Sequence, residues 1–214
     1  MSLEPNRNLT DAGNPAKPTG KAGEDMLHYM NEEHADLTAW GVSLWEYNPT
    51  DHILDIGCGG GATLNRLVSL VPGGHFTGVD YSDVSVKLSK EFNAEHIKSG
   101  KMEILCGSVS DLPFDDNTFD KAITVESFYF WPDPVHSLSE VLRVIKPGGS
   151  FMLVSEIYER PDLTPHCRDN ISRYSMNVPD IEEFNQLFKD AGFAGTDIHT
   201  KDSEFWIVVI GTKL

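Results

Sequence analysis

Residues 53–67 read ILDIGCGGGATLNRL: an apolar run, four glycines in five positions, then a helical stripe. Glycine inside regular structure costs about 0.5–1 kcal/mol against alanine. A cluster of this kind therefore marks backbone that turns sharply or lies against a ligand. A strand, a glycine turn and a helix start in succession set outward-pointing N–H groups, with partial positive charge, beside bare backbone. In an open parallel sheet that turn falls at the carboxyl ends of the strands, where ligands bind.

The rest of the chain supplies such a sheet. Met26, Met30, Leu37, Trp40 and Leu44 keep helical spacing and predict one or two amphipathic helices ahead of it. Strands are expected at 52–57, 75–80, 102–107, 119–126 and 150–156. Between them lie a stripe over 60–71, a helix capped by Ser82, and a helix that stops at Pro147-Gly148-Gly149. Asp180 with Glu183 forms a capping box for a helix ending at Gly192. Segments 195–200 and 205–211 are strand-like, and the few residues between them leave no room for a crossover, so they run antiparallel. The strands are near-continuous apolar runs, as when helices cover both faces. The expected class is α/β, a Rossmann-like open sheet. Residues 1–22, rich in Pro, Gly, Asn and Lys, read as a flexible tail before one domain over 23–214.

Charge narrows the partners. Lysine plus arginine is 17 and aspartate plus glutamate 33, a net charge of −16. That balance argues against a broad nucleic-acid footprint and against docking on anionic membranes. Cys58, Cys106 and Cys167 are scattered and form no CxxC, so they read as reduced thiols without zinc. No apolar run is long enough to span a bilayer, and the N-terminus lacks a signal-peptide core. The expected compartment is cytoplasmic. Asp115-Asp116-Asn117 reads as a polar turn, and no metal site is expected. Oligomeric state is not legible.

Two ligands stay open for the glycine loop. Gly57-x-Gly59-x-x-Ala62 fits the loose dinucleotide pattern, and Asp80, nineteen residues past Gly61, ends the second strand where a carboxylate can accept from ribose hydroxyls. Asp55 is harder to reconcile with a pyrophosphate and suits an ammonium group. A ligand with a nucleoside at one end and an amino acid at the other, such as S-adenosylmethionine, uses both carboxylates.

These residues resemble the class I S-adenosylmethionine-dependent methyltransferases. LDIGCGGG matches their first motif and VDYS (79–82) the acidic end of their second strand. GSVSDLPFDDNTFD (107–120) resembles the segment that brackets adenine, and LRVIKPGGSF (142–151) the entry to the fifth strand. Within the fold, LPF-x-D-x-x-FD and RVIKPGG are most similar to the branch containing quinone-biosynthesis and related small-molecule methyltransferases. The resemblance implies seven strands in the order 3-2-1-4-5-7-6, the last antiparallel, with a lid of helices over 23–47. It implies cofactor contacts at Gly57 and Gly59, the ligand's amino group at Asp55, ribose at Asp80 and adenine beside Tyr81. Many relatives carry aspartate where this chain has Ser108, which leaves the Val109 N–H as the adenine donor. Cys58, Glu126 and, on the lid, Tyr29 complete the candidate cofactor contacts.

Methyl transfer from a sulfonium is an in-line displacement that needs orientation and water exclusion more than a protein nucleophile. His34 is the candidate proton acceptor. ESFYFWPDP (126–134) borders the transferable methyl, with Tyr129 (counted with His34 as catalytic) and Trp131 as pocket residues. His166 and Arg168, in an irregular segment over 159–179, are candidate acceptor contacts. The expected function is methyl transfer to a small-molecule acceptor. A cofactor-binding regulator without turnover is the alternative. A nicotinamide oxidoreductase is weaker, since no Tyr-x-x-x-Lys pair occurs.

Overall fold

The computed structural model describes residues 12–201 and 203–214. Helices α1 (Gly20–Glu33) and α2 (Ala35–Val42) lead in. The alternation follows: β1 (His52–Ile56), α3 (Ala62–Leu70), β2 (His75–Asp80), α4 (Asp83–Phe92), α5 (Ala94–Lys98), β3 (Met102–Cys106) and β4 (Phe119–Val125). A 3₁₀ turn at Phe128–Phe130 leads to α6 (Pro134–Val144), β5 (Ile145–Ser155), α7 (Pro165–Arg173), α8 (Ile181–Asp190), β6 (Thr196–Lys201) and β7 (Trp206–Thr212).

The seven strands form one sheet in the order β3-β2-β1-β4-β5-β7-β6. β1 to β5 are mutually parallel, and β7 is antiparallel to both β5 and β6. The expected order and the closing hairpin therefore hold. The two faces separate along β5 by the two-residue period of a strand. Phe151 and Leu153 join Leu54, Phe119, Phe184 and Phe188 under α6 and α8. Met152 and Val154 join Ile53, Phe76, Leu37 and Leu64 under α2 and α3. Every one of these side chains is at most 2% exposed, so both faces are dry.

Local signals explain most boundaries. Ser82 caps α4 by accepting from Ser85 N–H at 3.3 Å. At α8, Asp180 Oδ1 accepts from Glu183 N–H at 2.8 Å while Glu183 Oε2 accepts from Asp180 N–H at 2.9 Å. Asp180→Ala removes that box and is expected to cost about 1 kcal/mol of stability, read by urea denaturation; an unchanged midpoint would contradict the capping role.

Three boundaries differ from expectation. The helix before Pro147 ends at Val144, and β5 starts at once, because Ile145 pairs with Phe119 and a bulge absorbs the Pro-Gly-Gly before Ser150 pairs with Lys121. The segment over 159–179 is not wholly irregular: Thr164 accepts from Cys167 N–H and Pro165 opens α7. α1 begins at Gly20, inside the expected tail. Residues 1–11 of that tail lie outside the described residues, and residues 15–18 reach back over the end of β2. There Tyr81 Oη donates to Ala16 O and Ser82 Oγ donates to Pro18 O at 2.6 Å.

Candidate active site

A cavity of about 420 Å³ opens at the carboxyl ends of β1, β2 and β4, between the glycine loop and α1. The loop answers for its glycines. Gly57 has φ 72°, and a Cβ there would lie 2.3 Å from Ser127 Oγ. Gly61 has φ 82°, and a Cβ would meet Asn93 Nδ2 and Ser89 Oγ, each at 2.4 Å. Both positions require left-handed backbone and have no room for a side chain. The turn is pinned from below: Gly57 and Cys58 N–H both donate to Val79 O, at 2.8 and 3.1 Å.

Two carboxylates flank this loop. Asp80 is 7% exposed, and its oxygens accept from Ser82 N–H at 2.9 Å and Gly59 N–H at 3.0 Å. Burial raises its carboxyl above the ordinary range, and these hydrogen bonds pull it back. Each oxygen keeps a further lone pair for a ligand hydroxyl. Asp55, 1% exposed, stands in sharper contrast. Its Oδ2 is buried with no hydrogen-bond partner, and burial with the Asp80 charge raises it to about 8. A buried carboxylate oxygen without a donor is costly and marks a place where a ligand brings one. The donor set therefore fits a group carrying an ammonium at one end and a vicinal diol at the other.

Glu126 closes the other side. It follows β4 with φ 55°, a left-handed conformation uncommon for a side-chain-bearing residue. Its carboxylate accepts from Tyr129 Oη at 2.8 Å and from Glu156 N–H, and lies 4.0 Å from His34 Nε2. Burial holds His34 down to about 4, so its ring is neutral at pH 7. Burial and the Glu156 charge raise Glu126 well above its usual value.

Most expected positions converge here. Asp55, Gly57, Cys58, Gly59, Asp80, Tyr81, Ser108, Val109, Glu126, His34 and Trp131 all line the cavity. Ser108 Oγ accepts from Ser110 N–H at 3.2 Å, so it shapes its own turn as well as facing the cavity. Four expectations are displaced. Tyr29 is not among the lining residues; Leu27, Met30, Asn31 and His34 are, because a spacing of three to four puts those on one helical face. Tyr129 turns away on the 3₁₀ turn to hold Glu126, while Phe130 and Trp131 face in. His166 and Arg168 lie on α7, outside the cavity, where Arg168 pairs with both Glu159 oxygens at 2.9 and 3.0 Å. Lining residues unforeseen from sequence include Leu27, Asn31 and Thr38, together with Pro15, Ala16 and Pro18, and Phe130 takes the place expected of Tyr129. Counting helical turns either way from His34 would have found Leu27, Asn31 and Thr38; no local pattern points to residues 15–18.

Residues 54–153 match the family model described as a methyltransferase domain. An uncharacterized methyltransferase of Schizosaccharomyces pombe is 36% identical over 88% of this chain and 74% of its own length. The chain belongs to the S-adenosylmethionine-dependent methyltransferases. A demethylmenaquinone methyltransferase of Symbiobacterium thermophilum is 27% identical, with 80% of each chain covered. Among solved structures, a SAM-dependent methyltransferase from Aquifex aeolicus superposes with TM-score 0.72 at 19% identity, covering 88% of this chain and 97% of that one. The geranyl diphosphate C-methyltransferase of Streptomyces coelicolor gives 0.74 at 14%, covering 95% and 88%. At these identities the structures establish the shared fold. The cofactor of this methyltransferase is S-adenosylmethionine, and its adenosyl and amino-acid ends correspond to the diol and ammonium that the paired carboxylates suit. No helix among the described residues is long and apolar enough to cross a membrane.

Proposed function

We propose that this methyltransferase acts on a small-molecule acceptor in the cytoplasm, without nucleic acid or membrane as substrate. The observation that carries the site assignment is Asp55 Oδ2, buried without a partner in the cavity wall beside the glycine loop. Asp55 holds the cofactor's amino group, Asp80 its ribose hydroxyls, and Tyr81, Ser108 and Val109 its adenine. Gly57, Cys58 and Gly59 offer the backbone against which it lies. When bound, S-adenosylmethionine supplies a methyl group on a positively charged sulfur.

The protein's own work is placement and exclusion of water. Leu27, Met30, Phe130 and Trp131 give the acceptor end apolar walls, and the segment Pro15–Pro18 closes the adenine end. A cavity of about 420 Å³ walled in this way supports a small acceptor. The demethylmenaquinone methyltransferase among its relatives, named for a small molecule, agrees with that reading.

Incubation with methyl-labelled S-adenosylmethionine and a metabolite extract tests it. Label is expected in a low-molecular-weight product, and Asp80→Ala should lower the transfer sharply at cofactor concentrations that saturate the wild type. Cofactor binding without any labelled product would instead indicate a regulator.

A further inference from the structure

The acceptor end of the cavity carries an unbalanced charge. Among the described residues lining the cavity there is no lysine or arginine. Glu126, with its side chain 3% exposed, faces the cavity. One ligating atom each of His34, Glu126 and Glu156 lie within 4.8 Å of one another. The Glu33 charge reaches both His34 and Glu156. His34 is neutral and returns no positive charge. The hydrogen bonds from Tyr129 and from Glu156 N–H favour the ionised form of Glu126, but burial and the Glu156 charge still hold it well above its usual value, so a cation beside it is what would keep it ionised. His166 acts on Glu156 from the α7 side, and Arg168 is taken by Glu159. Carboxylates gathered in this way favour a ligand that brings the missing charge.

The walls decide what kind of cation fits. Phe130 and Trp131 line the same cavity as Glu126. Aromatic faces attract an organic ammonium but offer no ligand to a hydrated metal ion. The Trp131 indole N–H is already given to Ser127 Oγ at 3.0 Å. From the described lining residues an anionic acceptor would meet carboxylates and no lysine or arginine.

We infer that the methyl acceptor is an amine, bound through its nitrogen to Glu126, with Glu156 and Glu33 adding to the negative field. This rests on the methyltransferase reading above. The acceptor's ammonium passes one proton to the Glu126 carboxylate, which frees the nitrogen lone pair. That pair forms the N–CH₃ bond as the S–CH₃ bond breaks, and the sulfur keeps the bonding electrons. The positive charge moves from sulfur to the methylated nitrogen, and Glu126 gives its proton to solvent as the product leaves, which restores the carboxylate.

The test is calorimetric, on protein saturated with S-adenosylhomocysteine. The probes are three near-isosteres of different charge: 2-phenylethylamine, 2-phenylethanol and 3-phenylpropanoate. The amine is expected to bind at least tenfold more tightly than the alcohol, with no measurable binding of the carboxylate. Glu126→Gln should remove the preference for the amine. Should that variant fail to bind S-adenosylhomocysteine, Glu156→Gln, at an exposed position, provides the same contrast and is expected to weaken amine binding several-fold. Equal or tighter binding of the alcohol or the carboxylate overturns the inference. So does amine binding that appears only with added Mn²⁺ and is lost with EDTA. Failure of S-adenosylhomocysteine itself to bind would overturn the cofactor reading, a separate outcome seen before any amine is added.

Discussion

Asp80→Ala is expected to weaken S-adenosylhomocysteine binding by roughly ten- to a hundredfold for each ribose hydrogen bond lost, about 1.5–3 kcal/mol apiece. Asp80 is the last residue of β2, and that strand is paired on both sides, to β1 and to β3. Its backbone is therefore fixed before the ligand arrives. One oxygen is fixed by Ser82 N–H and the other by Gly59 N–H, which leaves both aimed into the cavity. Alanine deletes the ligand contacts and also frees Gly59, so the loop loosens. Asp80→Asn keeps one acceptor oxygen and should fall between wild type and alanine. Calorimetric titration reads all three proteins, and thermal unfolding checks that the variants fold. Unchanged affinity in Asp80→Ala would show that the ribose is held elsewhere.

The second large effect is a pH dependence set by Asp55. Its carboxyl is raised to about 8 by burial and by the Asp80 charge, against 3.8 for an unhindered aspartate. At pH 7 the ligand-free protein therefore keeps it protonated, whereas an ammonium beside it favours the ionised form. Binding then releases a proton from Asp55. Affinity for S-adenosylhomocysteine is expected to climb roughly tenfold per pH unit between about pH 5 and 7, and to level off near the raised value. The stability of the ligand-free protein moves the other way. A group with a raised folded-state value contributes stability that is full below about 4 and is lost as pH rises through about 8. Asp55→Asn cannot titrate, so both slopes should flatten. A slope in affinity that survives in Asp55→Asn would assign the proton to another group.

Legibility in the sequence followed the range of the physical signal. The Ser82 cap and the Asp180–Glu183 box act over three residues, and both stand where the spacing put them. Strand identity came from apolar runs, and the positions of Asp55 and Asp80 came with the strands that end there. α7 was harder to see because PHCRDNISR carries no apolar stripe and none of its residues is buried. Its start signal, Thr164 before Pro165, was present but had no periodic pattern behind it. The early start of β5 depends on Ile145 meeting Phe119, a pairing between distant segments that no local pattern encodes.

The site divides the same way. Carboxylates at strand ends were foreseen, but partner choice was not. The rotation of the 3₁₀ turn decides that Phe130 and Trp131 face the cavity while Tyr129 goes to Glu126. Arg168 looked available until Glu159, nine residues earlier, came within reach of its guanidinium. Pro15, Ala16 and Pro18 enter the cavity wall only because the chain ahead of α1 doubles back over Tyr81 and Ser82.

The most direct check is a crystal structure with S-adenosylhomocysteine soaked in. The amino group is expected within hydrogen-bonding reach of Asp55 Oδ2, both ribose hydroxyls on Asp80, and the sulfur facing Glu126. Density for the ligand anywhere else, or a cavity whose two aspartates stay clear of it at saturating concentration, would contradict that placement.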